Sequence, residues 1–214
     1  MYPRFLQFGT FVISTWGVLA LVAAGCGVAL WTSIARRMAL DVAKIQNAGL
    51  IVVVFALVGA RLAIAIENWR GFLEAPLLIL ATGTLRSGSA EAFGTALATV
   101  ACIVYLLWVR MPVWRALDAA APAAALAAGI LDIGDFAAGT HYGAPTTLPW
   151  AATYSSHFAA RTAGVPLGIP LHPVQIYSAM VHFTLAAILV TMLRQQRRRG
   201  EVLGLALFVE GVLR

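Results

Sequence analysis

The sequence is short of charge. Asp, Glu, Lys and Arg make up 11 % of its 214 residues, whereas a soluble domain carries about 25 %. That scarcity excludes an ordinary water-soluble domain. Acidic residues are the scarcer sign, nine against fifteen basic ones, for a net charge of +6. A basic balance can mark a nucleic-acid binder, but these residues form no face and no tract. They sit in short clusters between apolar runs, so nucleic acid is not an expected partner. Cysteine is scarce too. Cys26 and Cys102 both lie inside apolar runs and are expected as small core residues rather than a disulfide. Internal repeats are absent, and the only compositional bias is an Ala-rich stretch at 116–128 suited to close helix packing in lipid.

Apolar residues are abundant, at 61 %, and the mean hydropathy is +0.85. A membrane span needs about 20 mostly apolar residues. Runs at 9–33, 47–66, 92–110, 117–138 and 173–193 qualify. The run at 76–85 holds Pro76 and Gly83, is too short to span, and reads as a re-entrant or interfacial piece. A signal peptide carries its basic residues before its apolar stretch, but here Arg36 and Arg37 follow the first run, which therefore reads as a span. A sixth run begins at about 202 and reaches Arg214. A half-span leaves backbone polar groups unsatisfied at its end, so the reading frame is expected to continue past Arg214. The expected fold is an all-α polytopic membrane helix bundle, one membrane domain over 1–214, with five full spans and a partial sixth.

Basic residues fix the expected sidedness. Arg36, Arg37 and Lys44 follow span one, Arg110 and Arg115 follow span three, and Arg194, Arg197, Arg198 and Arg199 follow span five. These alternate loops are expected on the cytoplasmic side. The N-terminus, residues 67–91 and a long loop at 139–172 then lie outside. Most of the six Trp residues fall near span ends and read as interfacial anchors.

Ionisable residues at membrane depth are costly and are candidate functional groups by default. Arg61, near the outer end of span two, reads either as a snorkelling arginine or as a clamp for a lipid phosphate. Asp132 and Asp135, three apart in GILDIGDFAAG, share a helical face. Two carboxylates in one low-dielectric site would raise one pKa and make a proton donor or acceptor, the alternative being a water-exposed helix end. Asp118, near the inner end of that span, reads as structural. His141 and His172 flank the outer loop. No spacing here supports a metal site or a serine hydrolase, Ser155-Ser156-His157 lacking the nucleophile-elbow context, and no cofactor is expected. Pro173 suits the first turn of a helix. His172 and Gln175 would then share a face, with Tyr177 turned about 140° away.

The stretch HPVQIYSAM at 172–180 resembles the His-Pro-Ser/Thr-Gln-Leu-Tyr-Glu motif of bacterial prolipoprotein diacylglyceryl transferases. Three further stretches resemble that family in order and spacing: GARLAIAIENW, DAAAPAAALAAGILDIGDFAAGTHYGAPTTLPW and GEVLGLALFVEGVLR. The resemblance implies a multi-pass protein of the bacterial cytoplasmic membrane. It implies transfer of diacylglycerol from phosphatidylglycerol, a membrane lipid, to the lipobox cysteine thiol of a prolipoprotein at the outer leaflet. Carried over by position, Arg61, Gly134, Tyr142, Gly143, Pro145, His172, Pro173, Gln175 and Tyr177 match, and Arg214 falls on the family's late-span arginine, implying a phosphate holder. Catalytic roles are expected for His172, Tyr177, Asp135 and His141. Substrate-binding roles are expected for Arg61, Arg214, Asp132, Gly134, Tyr142, Gly143 and Gln175, with the ionisable members facing one cavity. Several positions depart from the family pattern. The family's Ser-Phe-His-Gly-Gly histidine falls near Ser89, with Glu91 the nearest ionisable residue. Asp132 stands for an arginine and Asp135 for an asparagine. Thr140 replaces a glutamate, Ala144 an arginine, Ser178 a glutamate and Trp16 a tyrosine. Such coordinated replacement fits a rebuilt site or an abandoned one. Two alternatives therefore stand beside the transferase reading: a different lipid transfer on the same membrane fold, or a non-catalytic scaffold binding lipid or lipoprotein.

Overall fold

The computed structural model describes residues 4–8, 11–74, 88–195 and 198–213. After a short hairpin, β1 (Arg4–Phe8) and β2 (Phe11–Ser14), the chain is almost wholly helical: α1 (Thr15–Arg37), α2 (Val42–Glu67), α3 (Trp69–Glu74), α4 (Gly88–Trp108), α5 (Val113–Ala138), α6 (His157–Ala163), α7 (Val174–Leu193) and α8 (Glu201–Leu213). Helices α1, α2, α4, α5 and α7 are long and apolar enough to cross a membrane. The protein is a polytopic α-helical membrane protein with five such helices. The first of them starts at Thr15 rather than residue 9, because residues 11–14 are spent on β2. The run at 76–85, expected as a re-entrant piece, lies outside the described residues. Helix α8, of 13 residues, is shorter than a span.

The chain divides into two compact units, residues 31–116 and residues 1–30 with 117–214. In the first, α2 and α4 approach to backbone contact. A Cβ on Gly94 would lie 2.6 Å from the Ala56 carbonyl oxygen, and one on Gly59 would lie 2.8 Å from the Gly94 Cα. Small residues at such a contact give membrane helices the packing that water cannot drive. The turns after α1 and α4 adjoin. Ala39 and Arg110 take left-handed φ of 52° to close them, with Leu40 N–H reaching Ala35 O and Met111 N–H reaching Leu106 O. Lys44 Nζ donates to Val109 O at 3.2 Å, and Arg115 donates to Met38 O. The basic residues read as topology signals thus also satisfy the orphan carbonyls at helix C-termini, and the two basic turns share one end of this unit. Trp31 is buried and donates Nε1–H to Ala116 O at 3.1 Å, so it is a packing residue and not an interfacial anchor.

In the second unit α5, α7 and α8 share a core of Ala121, Ala125, Leu185, Ala186, Leu189 and Val202. Asp118, 4 % exposed, caps α8 from α5: Oδ2 accepts from Gly200 N at 2.7 Å and Oδ1 from Leu203 N at 2.9 Å. The loop at 139–172 is folded rather than slack. Tyr154, Ala159, Val165 and Leu171 form its own small core, and β3 (Ala152–Thr153) pairs antiparallel with β4 (Pro170–Leu171). Ser156 supplies the N-cap of α6, its hydroxyl accepting from Ala159 N. No disulfide forms between the cysteines; Cys102 is buried, whereas Cys26 lies on an exposed face of α1 rather than in the core.

Candidate active site

Helix α5 ends at Gly139, which takes φ +80° and passes its N–H to Asp135 O. Just beyond it His141 is held at φ +52°, a conformation that costs a side-chain-bearing residue about 1–2 kcal/mol. Asp135 meets both residues that follow. Thr140 Oγ1 donates to its Oδ1 at 2.8 Å, and His141 Nδ1 lies 3.2 Å from its Oδ2. His141 is 55 % exposed and Asp135 13 %, so an imidazole at the surface leans on a largely buried carboxylate.

The loop is latched to the start of α7. Gly143 N–H donates to His172 O and His172 N–H to Ala144 O, with a bridge between Pro145 and Leu171. A Cβ on Gly143 would sit 2.7 Å from His172 O, so only glycine permits this approach. Gln175 is buried; its Nε2 donates to Thr140 O at 2.6 Å and to Tyr154 Oη at 3.4 Å. Burial pushes the Tyr154 phenol above its usual range, and the Gln175 hydrogen bond opposes that rise. Tyr142 Oη donates to Gly164 O at 3.2 Å.

Helix α7 begins at Val174, so His172 precedes it and helical-wheel angles do not apply to that residue. The expectation that Tyr177 points away from His172 is therefore corrected: the two rings meet edge to face at 6.3 Å. Tyr177 also accepts from Trp150 Nε1 at 2.7 Å. Gly134 makes room for Trp16, whose ring would lie 3.1 Å from an added Cβ. Arg61 lies half-buried on α2 in the other unit, where Ser89 donates to Glu67. Arg214 lies outside the described residues.

Asp132 and Asp135 each lie against a histidine of their own. Asp132 Oδ2 lies 2.6 Å from His182 Nδ1, and His182 Nε2 lies 3.0 Å from Glu210 Oε2. This trio joins α5, α7 and α8 and is the site that the sequence reading passed over. Its signal was available, since His182 stands eight residues into an apolar span and Glu210 inside the next apolar run. Gly129, one turn before Asp132, lies against the Phe183 ring, where a Cβ would come within 2.7 Å. That close approach of α5 to α7 lets a carboxylate as short as aspartate reach His182.

These features define a multi-pass helical membrane protein with a latched loop at one end of α5 and α7 and an acid–base trio within its helices. A comparison with protein families matches residues 3–214 to prolipoprotein diacylglyceryl transferase. The chain belongs to that family. It is similar to the phosphatidylglycerol–prolipoprotein diacylglyceryl transferase of Synechococcus sp. (strain CC9902), 31 % identical over 149 residues, covering 69 % of this chain and 52 % of the relative. The same-named protein of Synechococcus elongatus is 27 % identical over 198 residues, covering 92 % and 67 %. That of Clostridium tetani is 28 % identical over 210 residues, covering 96 % and 80 %. The match to the first of these thus spans about half of that relative's length.

Proposed function

We propose that this protein transfers diacylglycerol from phosphatidylglycerol to the lipobox cysteine thiol of a prolipoprotein, at the outer leaflet of the bacterial cytoplasmic membrane. The family match over residues 3–214 is the observation that carries this reading. The relatives' names supply both substrates. The latch of Gly143 and Ala144 to His172 supports a substrate-facing role for His172 and Tyr177 in the motif that matches the family, with buried Gln175 holding the loop against them. The Asp135–His141 contact, set by a strained backbone, supports a role for that pair at the mouth of the site. A phosphate leaving group needs fixed positive charge, and Arg61 and Arg214 each match an arginine of the family's motifs.

The thiolate, not the thiol, is the nucleophile. Its attack on the glycerol carbon forms a C–S bond as the C–O bond to phosphate breaks, and glycerol phosphate leaves. Purified protein in vesicles containing phosphatidylglycerol should convert a lipobox peptide carrying Cys and leave its Cys→Ser counterpart unmodified, because a hydroxyl is far less nucleophilic near neutral pH. Equal modification of both peptides, or of neither, contradicts the reading.

A further inference from the structure

Trp150 gives its indole N–H to the protein rather than to water. The side chain is 58 % exposed, yet Nε1 donates to Tyr177 Oη at 2.7 Å, the short end of the range for such bonds. An indole that served only as an interfacial anchor would spend that hydrogen on headgroups or solvent. The loop puts it where it is. Thr146 N–H is bonded to Pro170 O, Ala152 pairs with Leu171, and Ala151 N–H closes a turn on Leu148 O. Residues 146–152 are thus held against the strand that leads into α7. The Tyr177 ring is fixed in turn by its edge-to-face contact with His172.

Three tyrosines bear on this loop, and their hydroxyls are spent differently. Tyr154 accepts from Gln175 Nε2 and donates to Phe136 O, and Tyr142 donates to Gly164 O. Tyr177 only accepts: among the described residues no acceptor meets its own hydrogen. A phenol carries one hydrogen, which lies in the ring plane on one side of the oxygen or the other. With the Trp150 N–H occupying one side, the hydrogen turns to the other. Accepting a bond also polarises the O–H and makes it a stronger donor.

We propose that Trp150 is a positioning residue of the transfer reaction, which turns the Tyr177 hydroxyl so that its hydrogen meets the phosphate of phosphatidylglycerol. This rests on the transferase reading. In that reaction sulfur loses negative charge as the C–S bond forms, and the phosphate oxygen gains it as the C–O bond breaks. A hydroxyl whose acceptor side is taken by an N–H is fitted to the second of these and not to taking the thiol's proton. A donor held in place beforehand needs no reorientation as the charge develops, which is where such hydrogen bonds act most strongly. Tyr177 touches the reacting group, and Trp150 acts through it.

The test is a double-substitution cycle on kcat and KM, with the full chain in phosphatidylglycerol vesicles and a cysteine lipobox peptide. Tyr177→Phe removes the donor and should lower kcat about a hundredfold. Trp150→Phe keeps an aromatic ring and loses the N–H; it should lower kcat about tenfold and leave KM for phosphatidylglycerol within about twofold. The double variant should be no slower than Tyr177→Phe alone, because Trp150 has nothing left to orient. A purely structural role for Trp150 would instead slow both backgrounds by the same factor. That result, a full-rate Trp150→Phe, or a loss confined to KM overturns the positioning role while the transferase reading stands. In the unaltered protein the Trp150 indole N–H, followed by NMR, should exchange slowly with water and lose that protection in Tyr177→Phe. An indole unprotected in the unaltered protein overturns the proposal even if Trp150→Phe fails to fold. An unaltered protein that leaves the peptide unmodified overturns both readings.

Discussion

His182 links three helices of the second unit through Asp132 and Glu210, and it is a single residue in a largely apolar run. Sequence reasoning found the histidines that flank the loop because turn residues and a motif surround them. It missed His182 because no local pattern frames it; the partners arrive from 50 residues upstream and 28 downstream. Only the general cost of an ionisable group in lipid pointed to it. Gln175 was legible for the opposite reason, since its partner Thr140 belongs to the loop that its own motif closes. Gly143 is the most exacting position in that closure. Gly143→Ala should push the added methyl into His172 O, break the latch and destabilise the loop by about 1–3 kcal/mol. Hydrogen exchange at the Gly143 and His172 amides should quicken selectively, with exchange in α2 and α4 unchanged.

At the scale of elements, the long helices could be read from hydropathy alone, because a span is a property of 20 consecutive residues. The short strands could not. β3 and β4 are two residues each and exist because the 139–172 loop folds on Tyr154 and Leu171. The start of α1 shifted to Thr15, where β2 ends and Ser14 Oγ accepts from Gly17 N–H at 3.0 Å. Asp118 was read as structural, and its role is now specific: it caps a helix that begins 83 residues later. Asp118→Ala removes the acceptor for two N–H groups and should cost about 0.5–2 kcal/mol. Limited proteolysis should then cut near Arg198–Arg199 sooner than in the unaltered protein, whereas Asp118→Asn, which keeps one acceptor oxygen, should be nearer normal.

Charged side chains gather at helix ends in each unit taken by itself. Basic turns adjoin at one end of the first unit, and the capped start of α8 lies at the Asp118 end of α5, opposite the loop that follows Gly139. On the sidedness read from those charges, a cysteine placed at exposed Thr147 should react with a membrane-impermeant maleimide added to intact cells. One placed at Arg37 should react only after the membrane is opened. The reverse pattern would invert the topology and contradict the proposed transfer at the outer leaflet.

The central claim is that the diacylglyceryl group moves to sulfur while the phosphate stays with the leaving glycerol. Phosphatidylglycerol labelled in its acyl chains and in its phosphorus follows both parts at once when incubated with the protein and a cysteine lipobox peptide. The account predicts a peptide that gains the acyl label through a thioether and no phosphorus, with labelled glycerol phosphate released in equal amount. A peptide that stays unmodified, or one that carries the phosphorus label, would contradict it.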